Sequence, residues 1–343
     1  MKAKGKIRLI VAASLVLPIG MLSLVSAWAA PRSEQLPSSV DIAGGPIGTS
    51  TYVLATGVGK IILDHTAMGA TVKPMESIMK DTTVDRGEVD MGVTATNSSA
   101  RAYKGEGEYS DYRRANLRML FHLYVTPTVS LAVRADSGIT RISQLKGKRV
   151  ASGFPADEGA RRQVEVGLRS AGLTWDDVVQ VPVPGAVAAL KAINEGRVDA
   201  SFAMGPTTPK TVEIHKAIGL RALSLEPGPK LDKIFKELLP ASRPVLGKAG
   251  KGILKEDTWL IWYPWAFTAS SHLNDAAAYE IVKALWENYK ELHPVHFFAR
   301  GFSPKTMVSA PAIPYHQGAI RFYREKGVWT KEFENMQKEL LKQ

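Results

Sequence analysis

The stretch Val40-Asp41-Ile42-Ala43-Gly44-Gly45-Pro46-Ile47-Gly48-Thr49-Ser50-Thr51-Tyr52 carries the reading from which the rest follows. It begins as a short strand, passes through a loop with three glycines, and enters a run of helical spacing over 53–66. The first amides of a helix have no partner inside it, and its dipole favours an anion there. The loop is therefore either one wall of a ligand cleft or a strand-to-helix turn that needs glycine for its shape. The helix behind it places Leu54, Val58, Ile61, Ile62 and His65 on one face.

Working outward, a strand is expected near 70–74 and a helical stretch from Ser77 that stops at Gly87. A buried strand over 89–95 ends in Thr96-Asn97-Ser98-Ser99, with a helix over 100–103 beyond it. Strands over 117–124 and 128–134 follow, and Pro127 between them marks a crossing between domains. The plan then repeats: a strand over 148–152, the loop Gly153-Phe154-Pro155-Ala156-Asp157-Glu158-Gly159, a helix over 160–171 ending at Gly172, a helix over 187–194 stopped by Gly196, and a strand over 198–204. Asp85-Arg86-Gly87-Glu88-Val89-Asp90 echoes Asn194-Glu195-Gly196-Arg197-Val198-Asp199, and both Gly87/Gly196 and Gly44/Gly153 lie 109 residues apart. Either two similar α/β units share this offset, or common helix-to-strand wording matches by chance. Alternation of strand and helix implies mixed, mostly parallel sheets, whose ligands bind beyond the carboxyl ends of the strands. An aromatic run over 259–267, a long amphipathic helix over 275–292 and closing helices over 320–326 and 332–341 contain no third glycine loop, so the tail is expected to return to the first domain.

The chain's 343 residues suffice for two domains or one large core, and 45% apolar with 22% charged residues makes it globular. Residues 1–29 read as a secretory signal peptide: Lys2, Lys4, Lys6 and Arg8, an apolar run from Leu9, then Ala27-Trp28-Ala29 as the cleavage pattern. No cysteine is present, so neither a disulfide nor a cysteine-linked lipid holds the exported chain, and the periplasm is the expected address. The formal charge of +11 falls to +7 without the four signal-peptide cations. That balance suits small anions or an acidic membrane surface better than nucleic acid in an exported protein.

Catalytic patterns are missing from the sequence. Gly48 is followed by Thr49 where a phosphate loop needs lysine, and there is neither a Gly-x-Ser-x-Gly elbow nor a His-Glu-x-x-His. His293 and His296 form a close pair separated by Pro294, which reads as a surface loop in preference to a metal site. Asp157 and Glu158 are either helix caps or an acid/base pair. Trp262, Tyr263 and Trp265 either fill a core or line a pocket at the bend made by Pro264. Thr96 and Asn97 either bind a ligand or cap the next helix.

Five passages resemble the TAXI-type solute-binding proteins of TRAP transporter systems. These are the Gly44-to-Tyr52 loop, Arg86-Gly87-Glu88-Val89-Asp90-Met91-Gly92, Leu145-Lys146-Gly147-Lys148-Arg149-Val150, Ile281-Val282-Lys283-Ala284-Leu285-Trp286-Glu287-Asn288, and Ile313-Pro314-Tyr315-His316-Gln317-Gly318-Ala319-Ile320-Arg321-Phe322-Tyr323. The last is the most specific. The resemblance implies an α/β, type II-like two-lobe periplasmic binding protein, with mixed sheets flanked by helices and a ligand cleft between the lobes. It also implies a small organic acid or amino acid delivered unaltered to TRAP membrane permease subunits. By matching position, Thr49, Ser50, Thr51 and Tyr52 fall on the first-lobe binding loop. Ala95-Thr96-Asn97 falls where the family often has Gln-Ser-Asp, and Asp157-Glu158-Gly159-Ala160 where it commonly has Gly-Ser-Gly-Thr. Either the two carboxylates turn away as caps, or the ligand carries an amine, or it is largely apolar; the dense tryptophans suggest the last.

The expectations are then as follows. Residues 30–125 with 262–343 form lobe I, and 126–261 form lobe II. Thr49, Ser50, Thr51, Tyr52, Thr96, Asn97, Phe154, Ala156, Asp157, Glu158, Thr207, Tyr263 and Trp265 contact the ligand. The protein is a monomeric receptor without cofactor, metal or catalysis. The other readings are an exported hydrolase-like enzyme using Asp157, Glu158 or His122, and a sensor that signals to a membrane partner.

Overall fold

The computed structural model describes residues 35–123 and 127–343; the expected signal peptide over 1–29, the start of the lead after it, and Tyr124 lie outside them. The chain runs β1 (Ser39–Gly44), α1 (Ser50–His65), β2 (Gly69–Pro74), α2 (Ser77–Asp85), β3 (Met91–Ala95), α3 (Thr96–Lys104) and β4 (Leu117–Leu123). It continues through β5 (Ala132–Arg134), β6 (Arg149–Gly153), α4 (Glu158–Ser170), β7 (Val179–Val183), α5 (Ala186–Asn194), β8 (Ala200–Ser201), α6 (Pro209–Ile218) and β9 (Leu220–Ala222). Then come α7 (Pro229–Leu238), β10 (Arg243–Gly247), β11 (Thr258–Trp262), β12 (Trp265–Ser270), α8 (Asp275–Asn288), α9 (Pro304–Met307), α10 (Gln317–Glu325) and α11 (Lys331–Lys342).

Two five-stranded sheets have the orders β2-β1-β3-β12-β4 and β7-β6-β8-β5-β9. In each, the first three strands are parallel, and the fourth runs antiparallel to its inner neighbour. The antiparallel strand has a different origin in each sheet. In the second sheet β5 precedes the parallel strands, whereas in the first β12 arrives only after the second sheet is complete. The chain therefore crosses between the sheets twice, around 128 and around 263. The crossings are tied to each other: Thr128 N–H donates to the Ile261 carbonyl at 2.7 Å, and Ile261 N–H donates back at 3.0 Å.

Each sheet has its own apolar core. Ile42, Leu54, Val58, Phe121, Phe267, Ile281 and Phe322 are buried together in the first. Leu131, Val150, Val164, Leu190, Ile193, Leu223 and Ile261 are buried together in the second. Full burial of each such side chain stabilises by about 1.5–3 kcal/mol, and with no cysteine in the sequence these cores carry the fold. The tail packs where the missing third loop suggested, with α8 and α10 contributing Ile281, Leu285, Ile320 and Phe322 to the first core.

The echoed motif has the same job in both sheets. Gly87 and Gly196 take φ of +70° and +68°, a conformation that favours glycine, and each ends a helix. The aspartate that closes the motif then turns to the neighbouring parallel strand: Asp90 accepts from Asp41 N–H at 2.7 Å, and Asp199 from Arg149 N–H at 2.9 Å.

Several boundaries differ from the sequence expectation. The strand expected over 128–134 is β5 at Ala132–Arg134, because residue 128 pairs with the other crossing. The strand expected over 198–204 shrinks to Ala200–Ser201, since the chain then leaves the sheet, with Met204 at φ +54°. Helix α3 begins at Thr96, four residues earlier than expected, and α8 ends at Asn288 in a 3-10 turn over Tyr289–Leu292. Elements β7, α6, β9, α7 and β10 had no counterpart in the expectation.

Candidate functional site

Six consecutive helices, α1 to α6, begin at one cavity between the sheets. Helix α1 starts because Thr49, extended at φ −93°, caps it: its Oγ1 accepts from Tyr52 N–H at 3.3 Å and donates to the Pro46 carbonyl at 2.7 Å. Helix α4 starts the same way with a carboxylate, as Asp157 Oδ1 accepts from Ala160 N–H at 3.1 Å. Thr49, Ser50 and Thr51 line the cavity from one side; Asp157, Gly159, Ala186 and Thr208 line it from the other. Ser77 and Ser98 add the starts of α2 and α3. Tyr263 and Trp265, at the second crossing, complete the wall. The enclosed space is about 90 Å³.

Four ionisable side chains line this space: Lys80, Glu76, Asp157 and Tyr263. Lys80 is 4% exposed, and among the described residues no hydrogen bond or ion pair engages its ammonium. Burial pushes its pKa down, opposed by the charges of Asp81, Asp157 and Glu76. Burial pushes Asp157 up, opposed by the Ala160 amide and by Lys80. Burial also raises Glu76, and the nearby Asp157 charge adds to it. Burial raises Tyr263 as well, so its hydroxyl is a proton donor at neutral pH, and among the described residues that hydroxyl has no hydrogen-bond partner. Gly159 makes room for it: a Cβ there would lie 2.6 Å from Tyr263 Oη and 3.3 Å from Asp157 Oδ1.

Of the thirteen residues expected at the ligand, Thr49, Ser50, Thr51, Asp157, Tyr263 and Trp265 meet at the cavity. The others lie elsewhere. Tyr52 packs over Gly44 and is not part of the cavity wall. Thr96 is the first residue of α3, and its amide donates to the Pro264 carbonyl at 2.9 Å. Asn97 neither caps a helix nor enters the cavity; it reaches across the lobes, accepting from Ala241 N–H at 2.9 Å and donating to Ser242 Oγ at 2.8 Å. Phe154 is fully buried in the second core, with φ +54°. Ala156 donates its amide to the Pro184 carbonyl at 3.0 Å. Glu158 turns back along α4 to Arg161 at 2.7 Å and Arg162 at 3.3 Å. Thr207 is outside the lining, and its neighbour Thr208 takes the place expected for it.

Two more cross-lobe contacts close the rim. Ser50 Oγ lies 3.0 Å from Thr208 Oγ1, and Lys210 N–H donates to the Gly48 carbonyl at 3.2 Å. The His-Pro-Val-His passage is not a surface loop throughout: His296 is 8% exposed, with Nε2 3.3 Å from Ser50 Oγ. His293 Nε2 lies 2.9 Å from the Phe302 carbonyl. Trp262 stays out of the cavity, with the Arg243 guanidinium 4.8 Å from its ring centre.

Two sheet-bearing lobes joined by paired crossings, with a cavity between helix starts, make the two-lobe periplasmic binding-protein fold. The chain belongs to the NMT1-like family, whose model matches residues 42–327. In structure it is similar to PhnD1 from Prochlorococcus marinus, solved with methylphosphonate, at 13% identity and a TM-score of 0.51 over 85% of this chain and 99% of that one. It also aligns with the periplasmic aliphatic sulphonate binding protein SsuA from Escherichia coli, at 16% identity and a TM-score of 0.45 over 88% of this chain and 92% of that one.

Proposed function

We propose that this chain is a periplasmic receptor that encloses a small organic acid or amino acid between its lobes and hands it, unaltered, to a membrane permease. The observation that carries this reading is Lys80: a buried ammonium with no ion-pair partner among the described residues, opening into a cavity shared by both lobes. Asp81, Asp157 and Glu76 offset its charge, while its N–H donors remain for an acidic solute that accepts from them. The amide ends of six surrounding helices favour the same sign. Closure about the bridged crossings at Thr128 and Ile261 would exclude water from the solute.

The permease we assign is of the TRAP type, on the five resembling passages, with residues 126–261 as the lobe that swings. A thermal-shift screen of organic acids and amino acids, with methylphosphonate and alkanesulphonates included, is expected to find a solute that raises the melting temperature of wild type but not of Lys80→Met. A raised melting temperature in both would remove Lys80 from the site. Uptake of that solute with the cognate permease in sealed vesicles is expected to follow an imposed ion gradient, and dependence on ATP would reassign the partner.

A further inference from the structure

The wall of the cavity at Ser98 is wired from behind. Ser98 is 5% exposed and lines the cavity; Tyr109 and Asp81, fully buried or nearly so, do not reach it. Ser98 Oγ lies 2.9 Å from Tyr109 Oη, and Tyr109 donates to Asp81 Oδ2 at 2.5 Å. With Asp81 ionised, the directions of these bonds are set. A carboxylate only accepts, so the single phenolic proton of Tyr109 goes to Asp81. Tyr109 oxygen can then only accept from Ser98, which commits the one serine proton. What Ser98 has left for the cavity is lone pairs.

The same space holds two further acceptors. Asp157 uses Oδ1 as a helix cap, while among the described residues nothing engages its Oδ2 or the carboxylate of Glu76. Against these acceptors stand the Lys80 ammonium and the Tyr263 hydroxyl, the latter 4% exposed and without a hydrogen-bond partner among the described residues. A plain organic acid would satisfy the donors and leave three acceptors facing its hydrocarbon.

We infer that Asp81 and Tyr109 are positioning residues that hold Ser98 as a hydrogen-bond acceptor, and that the cleft takes a zwitterion whose protonated amine faces Ser98, Asp157 and Glu76 while its acidic group faces Lys80 and Tyr263. This rests on the receptor reading above and narrows it from acids in general to amine-bearing acids. Burial works against ionisation of Asp81, and the hydroxyls of Tyr109, Thr94 and Ser98, together with Lys80, favour it. A neutral Asp81 would let the chain run the other way and make Ser98 a donor, so the polarity of Ser98 is what the experiment has to read.

The test is isothermal titration at pH 7 with paired probes: each proteinogenic L-amino acid against the same acid lacking its α-amino group, such as L-glutamate against glutarate and L-alanine against propionate. The expected result is that the best amino acid binds at least about a hundredfold tighter than its des-amino partner, because acceptors built for N–H are otherwise left unpaired. Tyr109→Phe and Ser98→Ala are each expected to cut that ratio about tenfold while leaving the des-amino compound's affinity in place. Tyr109→Phe strips a buried carboxyl of its partner; should it fail to fold, Ser98→Ala, which leaves Tyr109 on Asp81, decides alone. Des-amino acids that bind as tightly as amino acids, or a ratio unmoved by Ser98→Ala, overturn the inference and leave the receptor reading standing. Failure of every carboxylate, phosphonate and sulphonate to bind overturns both.

Discussion

Thr49 and Asp157 occupy the same place in two halves of one design. Each follows a parallel strand, opens the helix behind it, and caps that helix by accepting from the amide three residues on. Both look into the same cavity. They differ in chemistry: a hydroxyl spends its proton on Pro46, while a carboxylate brings a negative charge and a second oxygen. The backbone device is shared and the side chain that executes it sets the polarity of each wall. What repeats in such a molecule is the geometry, and what departs from the repeat points to the solute.

The lobes also differ in their buried imidazoles, and the largest expected effect lies there. Burial lowers His122, in the first core, to about 4. Between its ordinary 6.5 and about 4 the unfolded chain binds a proton that the folded chain refuses, so this group makes stability fall as pH falls through that window. The buried carboxyls Asp81 and Asp85 and the half-buried Glu76 have raised values and act in the opposite sense, favouring the folded state as pH falls. The decisive quantity is therefore a difference in slope. His122→Gln is expected to flatten the decline in unfolding free energy between pH 6.5 and 4 by on the order of 3 kcal/mol. His215, half-buried in the second lobe and also lowered by burial, serves as the contrast: His215→Gln is expected to change the slope less. Equal changes in urea unfolding series would erase this difference between the lobes.

Next in size is Asp157→Asn. Asparagine keeps the cap, so the folded chain should be as stable as wild type or slightly more so, since burial already disfavours the charge. Affinity for the solute found by screening is expected to fall about tenfold to a hundredfold by titration calorimetry. An unchanged affinity would make Asp157 a cap and nothing more, and so equivalent to Thr49. The smallest effect belongs to Thr49→Ala, which should cost about 1 kcal/mol of stability through the lost cap and change affinity only a few-fold. A loss as large as that from Asp157→Asn would show that the hydroxyl wall also grips the solute directly.

Much of the architecture was legible in residue pattern. Glycine stops, the echoed aspartates and the alternation of strand and helix gave the two-lobe plan, because backbone geometry restricts which residues can do those jobs. The candidate site was harder. Lys80, Glu76 and Ser98 escaped because charged and small polar residues in a helix are ordinarily taken as solvated. Helix α2 inverts that rule, burying Lys80 and Asp81 while Met79 is 58% exposed. A signal was present: Lys80 and Asp81 stand four and three residues before the buried Val84, on the same helical face. Asn97 was placed at the ligand because strand ends usually bind, but its partners lie 144 and 145 residues away on the other lobe, and no local pattern announces a contact of that separation. Residues 205–257 stayed mostly unread since their helices α6 and α7 open on Pro209 and Pro229, which local rules score as breaks as readily as starts.

The bond from Lys210 N–H to the Gly48 carbonyl joins the rims of the two lobes through main-chain atoms alone. Substituting the side chain at position 210 leaves both partners in place. Side chains that face the cavity can therefore change in descendants of this sequence while the two rims stay fastened by the same backbone clasp.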